Sequence, residues 1–134
     1  MLWNSSFSTG LTEIDAQNSD LISRLRAMIE ADTYWARIMQ LVRFEQAVTE
    51  YFKREQTIHD ECGYYAAEIH RFTHEGYLKH LRRMRWKYIE EELTLENEML
   101  FMKDVVDLLL KHILNQDRSF AEFYHRNILN AKAQ

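Results

Sequence analysis

The stretch "YFKREQTIHDECGYYAAEIHRFTH", residues 51 to 74, carries the pattern that decides the fold. Two runs without proline flank Gly63, and each run places polar side chains at intervals of four residues. These side chains are Tyr51, Glu55 and His59 in the first run and His70 and His74 in the second. Residues four apart lie one turn above each other on an α-helix. The stretch therefore predicts two helices, with a stop near Gly63, that each present metal-binding side chains along one face.

The composition of the whole chain extends this helical prediction. The 134 residues include no proline and only three glycines. Proline breaks helix interiors and glycine weakens them, so their scarcity predicts long helices with few turns. A chain of this length suits one domain, and we expect residues 1 to 134 to form it.

Four segments repeat apolar residues with helical spacing, which predicts an all-α protein. The predicted helices span about 14–31, 36–61, 65–89 and 93–115. Short connections between them predict an antiparallel up-down four-helix bundle. An irregular N-terminal arm over residues 1–12 and a short tail helix over about 118–130 complete the predicted architecture. We expect Asp15 or Thr12 to cap the first helix.

The apolar residues of each predicted helix mark the face that we expect to turn inward. They include Ile29 on the first helix, Ile69 on the third and Met99 on the fourth. Trp3, Phe7 and Leu11 would hold the arm against the bundle.

The charge and cysteine content limit the classes of partner. The net charge of -4 argues against nucleic acid as the main partner. No apolar run is long enough for a membrane span, and the first ten residues lack a targeting pattern. Cys62 is the single cysteine, which permits a reducing compartment. We therefore expect a cytoplasmic protein. The basic run at 79–87 is interpreted as a solvated helix face opposite acids such as those at 90–92, with a docking patch for a protein partner as the alternative.

Three predicted helices place ligand-type residues on their inward faces. These are Glu55, His70, His74, His112 and Asp117. Two imidazoles four residues apart can bind one metal ion, although that pair alone occurs often by chance. Five residues separate Asp117 from His112, which an ideal α-helix would turn about 140° apart. Both can face one centre only if the helix ends or widens to a π-helix there, so we predict an irregularity between residues 112 and 117.

Any single histidine on an apolar face is usually a hydrogen-bonded core or surface residue. Three of them beside two carboxylates are harder to explain without a metal, because burying such a cluster carries a large desolvation cost. Three nitrogens with carboxylate oxygens suit non-haem iron, and zinc or manganese are alternatives.

Four motifs in this order resemble the hemerythrin family, especially its bacterial single-domain members. They are "WNSSFSTGLTEIDAQN" at 3–18, "YFKRE" at 51–55, "HRFTH" at 70–74 and "HILNQD" at 112–117. The resemblance covers the chain from about Trp3 to about Tyr124. It implies a four-helix bundle that holds two irons, with dioxygen binding at an open position on one of them.

The resemblance also implies a ligand set. Glu55 and Asp117 match the bridging carboxylates, and His70, His74 and His112 match the ligands of the iron without an open position. Asn18 and Tyr51 stand where the family has the two histidines of the dioxygen-binding iron. Ordinary reversible oxygen transport is therefore not expected from this sequence.

The two departures leave alternatives open. In the first alternative Asn18 binds metal through its carbonyl oxygen and Tyr51 binds it as a phenolate, which would allow two irons. In the second alternative Tyr51 donates a hydrogen bond to Glu55, Asn18 fills the remaining space with hydrogen bonds, and the site holds one iron. His59 lies one turn beyond Glu55, where it is poorly placed to replace a ligand of the second iron. It can instead hydrogen-bond within the site or add a nitrogen to the retained metal.

Three functions follow from these alternatives. The preferred hypothesis is a modified iron site that senses or binds dioxygen, nitric oxide, peroxide or metal. A second is an enzyme in which the iron reacts with dioxygen or peroxide. A third is an interaction module, metal-free or structurally metallated, that binds a protein partner or a second copy of the chain.

Overall fold

The helical periodicity is realised in the computed structural model, which describes residues 3 to 91 and 94 to 129. Across these residues the backbone is mostly helical and contains no β-strand. A 3-10 turn at Ser5–Phe7 precedes the long helices. The long helices are α1 (Thr12–Glu30), α2 (Tyr34–Glu61), α3 (Ala67–Glu90) and α4 (Leu95–His112). They are followed by a π-helical turn (Ile113–Asp117), a short helix α5 (Arg118–Tyr124) and a second π-helical turn (His125–Leu129).

Each long helix packs against the next one along the chain, α1 on α2, α2 on α3 and α3 on α4. Short connections make such neighbours antiparallel, so the predicted up-down arrangement of four helices is confirmed. Apolar side chains from all four helices form one buried cluster. Its members include Leu21, Ile22, Leu25, Met28, Leu41, Phe44, Val48, Phe52, Tyr77, Leu81, Tyr88, Val105 and Leu109.

The limits of the first three helices lie within two residues of the predicted limits. The predicted start of the fourth helix at 93 and the predicted end of the tail at 130 lie outside the described residues. The predicted irregularity after His112 is confirmed, because the chain widens there into a π-helical turn. Its consequence for the candidate metal site is described below.

The expected cap of α1 is wrong. Leu11 occupies the capping position, and no side chain caps the helix. Asp15 instead accepts hydrogen bonds from the backbone N–H groups of Thr9 and Gly10, at 2.8 and 3.2 Å, and from the hydroxyls of Ser8 and Thr9. Its carboxylate therefore holds the loop that precedes the helix rather than the helix end itself.

The predicted stop at Gly63 is confirmed and has a defined geometry. Gly63 has a φ of +63°, the left-handed conformation that glycine adopts at little cost. The N–H of Tyr64 donates to the carbonyl of His59 at 3.0 Å, and the N–H of Gly63 donates to the carbonyl of Asp60 at 3.3 Å. These two bonds close α2 in a Schellman motif and return Tyr64 towards the bundle.

Three residues predicted to turn inward are exposed. Ile29 is 43% exposed, Ile69 is 70% exposed and Met99 is 64% exposed. Each lies on a helix whose inward face is set by other residues; on α3 these include His70 and Tyr77, which are buried. Hydrophobicity alone did not identify the inward face, because packing between helices determines the rotation of each helix about its axis.

The basic run at 79–87 is partly paired, and its partner differs from the expected one. Arg82 and Arg85 contact the carboxylate of Glu45 on α2, at 3.3 and 2.6 Å. Glu92, one of the acids expected to face this run, lies outside the described residues. Across the described part of the chain, no helix combines the length and hydrophobicity needed to cross a membrane.

Phe120 attaches α5 to the bundle, because its fully buried ring lies against His59 and Tyr64. Replacing it with alanine should lower the free energy of unfolding by about 3–5 kcal/mol through cavity formation. The matched control is Phe72→Ala, which removes a ring that is 77% exposed and should change stability by less than about 0.5 kcal/mol. Urea unfolding followed by circular dichroism measures both, and equal effects would contradict the described packing of the tail.

Candidate metal centre

The predicted ligand residues meet at one end of the bundle. This end holds the C-terminal parts of α2 and α4 and the N-terminal part of α3, as the antiparallel order requires. The side chains brought together are Glu55 and His59 from α2, His70 and His74 from α3, His112 from α4 and Asp117 from the π-helical turn. All six are at least nine-tenths buried. The described structure therefore collects every residue of the predicted five-residue set in one buried place.

The imidazoles face the carboxylates through their Nε2 atoms. Nε2 of His70 lies 2.9 Å from Oε1 of Glu55, and Nε2 of His74 lies 3.7 Å from Oε2 of the same carboxylate. Nε2 of His112 lies 3.2 Å from Oδ1 of Asp117, which is 3.7 Å from Nε2 of His70. One donor atom from each of Glu55, His70, His74 and His112 lies within 4.8 Å of the others. Donors at about 2 Å from a common ion lie about 3–3.5 Å apart, so these four groups are near the spacing of a metal site and somewhat wider than it.

The π-helical turn makes the contribution of Asp117 geometrically feasible. A π-helix closes hydrogen bonds between residues five apart, whereas an α-helix closes them between residues four apart. Positions 112 and 117 therefore come onto one face of the widened helix, and both side chains point into the cluster. π-helical turns within α-helices occur frequently at functional sites.

Apart from the contacts just given, the described residues offer no hydrogen-bond partner to many buried polar atoms of the cluster. They are Nε2 of His70, His74 and His112, Oε1 of Glu55, Oδ1 of Asp117, and both ring nitrogens of His59. Leaving a buried polar atom unpaired costs about 1–3 kcal/mol, so a group of them in one place requires an explanation. A metal ion held by Glu55, His70, His74 and His112 would satisfy donor atoms of all four residues at once, and this donor set fits one.

The protonation of Glu55 and His74 favours metal binding at neutral pH. Burial raises the pKa of Glu55, but the imidazoles of His59 and His70 outweigh burial and hold that pKa well below its usual range. Burial lowers the pKa of His74 to about 2. A charged carboxylate and a neutral imidazole are the forms that bind metals.

Asp117 and His112 hold protons more strongly than free side chains do. Burial and the charge of Glu55 raise the pKa of Asp117 to about 6. Burial lowers the pKa of His112, but the charge of Asp117 more than compensates and raises that pKa above its usual value. Near neutral pH these two groups are therefore the ones at which protons and a metal ion compete.

Asn18 lies at the edge of the cluster and is buried. Its side-chain Nδ2 donates to Oδ2 of Asp117 at 2.9 Å. One carboxylate oxygen of Asp117 thus faces the imidazoles, and the other accepts from the amide. The amide satisfies an oxygen that would otherwise be free for a second ion.

One alternative was that the hydroxyl of Tyr51 donates a hydrogen bond to Glu55, and the structure does not show this bond. Its hydroxyl donates to Oδ2 of Asp20 at 2.6 Å, and the same oxygen pairs with Arg24. The hydrogen bond to Asp20 and burial raise the pKa of the Tyr51 phenol. The hypothesis of a Tyr51 phenolate ligand therefore has no support in this arrangement, because its proton is engaged by a carboxylate outside the cluster.

His59 lies on the side of the retained ligands, as the helix geometry predicted. Its Nε2 is 3.4 Å from Oε1 of Glu55, and its ring packs against His70 and Phe120 with centroid distances of 4.4 and 4.2 Å. Burial lowers the pKa of His59. A neutral imidazole in this position supports Glu55 and closes the site on the side of the tail.

Three residues that shape the surroundings of the cluster were not assigned to the site from the sequence. Phe52 stacks on His74 with a centroid distance of 3.7 Å and an interplanar angle of 5°. Tyr77 is buried beside His112, and its hydroxyl has no hydrogen-bond partner among the described residues. Asp20 lies two residues after Asn18. Its spacing of four residues from Arg24 could have predicted an ion pair that holds the Asp20 carboxylate in place.

Comparison with known proteins agrees with this geometry. No family model matches the chain. Hemerythrin subunit alpha from Lingula anatina is 28% identical over 98 residues, which cover 73% of this chain and 80% of that protein. Together with the helical bundle and its buried His and Glu cluster, this similarity supports the interpretation of the chain as a hemerythrin-like, metal-binding protein.

Proposed function

We propose that this chain binds one non-haem iron ion and uses it to sense or bind a small ligand such as dioxygen, nitric oxide or peroxide. The proposed ligands are His70, His74 and His112 with the carboxylates of Glu55 and Asp117. The proposal treats residues 1 to 134 as one domain. The observation that carries it is the buried group of donor atoms from Glu55, His70, His74 and His112, which lie within 4.8 Å of one another, with Asp117 beside His112.

The preference for iron rests on the donor set and on the related protein. Three imidazole nitrogens with carboxylate oxygens suit non-haem iron, whereas a closed structural zinc site usually has four ligands rich in cysteine. Among the described residues the candidate cluster contains no cysteine. The similarity to a hemerythrin subunit favours iron over manganese or zinc.

The preference for one ion rests on Asn18 and Tyr51. A second ion would need Oδ2 of Asp117, which accepts the amide N–H of Asn18. It would also need a donor from Tyr51, whose hydroxyl is bound to Asp20. Asn18 and Tyr51, which stand where the family resemblance predicts histidines, are thus both hydrogen-bonded to carboxylates of the same chain. This supports a single ion.

The surrounding side chains would prepare the site for that ion. Glu55 is held ionised and His74 neutral, so neither has to change its net charge at neutral pH when the ion binds. Phe52 stacks on His74 and Phe120 packs against His59, so one aromatic ring covers each of these two imidazoles. A bound iron would supply a coordination position for a small ligand and a change of oxidation state that a sensor can report.

Iron content tests the proposed ligands. Wild-type protein reconstituted with ferrous iron under anaerobic conditions should carry one iron per chain, measured by mass spectrometry of the metal. His74→Ala should weaken binding by more than about 100-fold, beyond the effect expected for residues that do not touch the metal. The matched control is His80→Ala, which changes an exposed histidine on the same helix and should leave the iron content unchanged. Full retention of iron by His74→Ala would contradict the assignment, and two irons would contradict the single-ion site.

The pH dependence of binding tests the role of Asp117. Because its pKa is about 6, the carboxyl gains a proton as the pH falls below 6 and must lose that proton to bind a metal. Affinity should therefore fall with decreasing pH, by about tenfold per pH unit below 6 for each proton displaced. Competition titrations with Zn²⁺, which has no redox chemistry, can measure this from pH 7.5 to pH 5. Asp117→Asn should bind more weakly at pH 7 and show a shallower dependence; an unchanged slope would exclude Asp117 as the group responsible.

A further inference from the structure

Gln56 is the next residue after the candidate ligand Glu55, and its side-chain amide reaches the imidazole of His74. The amide nitrogen Nε2 lies 3.1 Å from Nδ1 of His74. The amide oxygen Oε1 is buried and has no hydrogen-bond partner among the described residues. One end of this amide is therefore paired and the other is not, although a rotation of 180° would exchange them.

The direction of this hydrogen bond, which its length alone leaves open, decides which nitrogen of His74 carries the proton. A neutral imidazole has one N–H and one lone pair. When Nε2 of Gln56 donates to Nδ1, that nitrogen must offer its lone pair, and the proton of His74 lies on its Nε2. Nε2 is the atom that faces Glu55, at 3.7 Å from Oε2. This tautomer turns an N–H into the candidate metal site and cannot bind an ion there.

Metal binding at Nε2 requires the opposite tautomer, with the proton on Nδ1. The imidazole remains neutral, since one proton leaves Nε2 and one is gained at Nδ1. The new Nδ1–H needs an acceptor, and the unpaired Oε1 of Gln56 is available after the amide turns. Metal-binding histidines almost always donate their second ring N–H to such an acceptor, which fixes the tautomer and the ring orientation.

We propose that the amide of Gln56 controls the tautomer of His74 and turns over on metal binding, donating to Nδ1 before the ion binds and accepting from it afterwards. Gln56 is thus a positioning residue that acts on the metal through His74. This inference rests on the proposed function for its second half, whereas its first half concerns the metal-free protein alone. An amide suits both states because it offers a donor and an acceptor at nearly equal positions.

Three variants separate these roles. Gln56→Glu keeps the shape and offers only an acceptor when ionised. Gln56→Met keeps the length and offers neither a donor nor a strong acceptor. The matched control is Gln40→Met, the same change at a residue of similar partial burial, 16 residues earlier on α2 and so about 24 Å away along the helix.

The first measurement is the tautomer of His74 in the metal-free protein, from long-range ¹H–¹⁵N spectra of its imidazole. Wild type should carry the proton on Nε2, whereas Gln56→Glu should carry it on Nδ1. A wild-type proton on Nδ1, or the same tautomer in both proteins, would overturn the inference. This outcome is independent of whether the protein binds a metal.

The second measurement is the affinity for Zn²⁺ at pH 7, with the tautomer recorded again in the zinc-loaded protein. Wild type should now carry the proton on Nδ1. Gln56→Met should bind about 10–100-fold more weakly, and Gln56→Glu at least as tightly as wild type. Gln40→Met should equal wild type. Equal affinity of Gln56→Met and wild type would overturn the inference while leaving the proposed function intact.

Failure of the wild type to bind either Zn²⁺ or iron would overturn the proposed function and the second half of the inference. The comparison of tautomers in the metal-free proteins would still decide the first half. A purely structural role of Gln56 predicts a different result, namely that both variants at position 56 lose thermal stability without any ordered change in tautomer or affinity.

Discussion

A carboxylate buried among imidazoles is the interaction on which the other features of this structure depend. Glu55 lies where α2 packs against α3, and His70 and His74 face it from the neighbouring helix. Burying an isolated carboxylate costs several kcal/mol, so its charge must be paired or bound to a metal. A small rotation of α3 would direct the imidazoles elsewhere and leave that charge alone. The pairing therefore fixes which face of α3 turns inward and leaves Ile69 on the surface.

Much of the fold could be predicted from the sequence because helix formation is a local property. The absence of proline and the spacing of apolar residues were enough to place the first three helices to within two residues. The rotation of each helix was less predictable, since it depends on what the neighbouring helix presents. Met99 has an apolar side chain typical of a core residue but lies on the exposed side of α4. Asp15 was expected to cap a helix, but its carboxylate instead accepts hydrogen bonds from the N–H groups of the preceding loop.

The residues of the candidate site were predicted from their spacing together with a family resemblance. The hydrogen-bond partners of the neighbouring side chains were not predicted. His112 and Asp117 could be paired in advance because only a widened helix brings residues five apart onto one face. The partner of Tyr51 could not be predicted in the same way. Its choice of Asp20 over Glu55 depends on the distance between α1 and α2 and on Arg24, which anchors that carboxylate. Such choices between neighbouring acids are tertiary and leave no periodic signal in the sequence.

Asn18 and Tyr51 stand at the two positions where the resemblance to hemerythrins predicts imidazoles, and both have partners within the protein. Each side chain forms a hydrogen bond to a carboxylate, Asn18 to Asp117 and Tyr51 to Asp20. The first bond satisfies a buried oxygen that would otherwise cost about 1–3 kcal/mol. Neither side chain is therefore left unpaired, and each has a defined position beside or near the buried cluster.

The π-helical turn at Ile113–Asp117 amounts to one inserted residue, and its position links two parts of the protein that would otherwise vary separately. If this turn closed into an ordinary α-helix with the same number of residues, everything downstream would rotate by about 100° relative to α4. Asp117 would then leave the imidazoles in the same event that carried Phe120 away from His59. The carboxylate of Asp117 and the aromatic cover of Phe120 therefore both depend on the one extra residue that this turn accommodates.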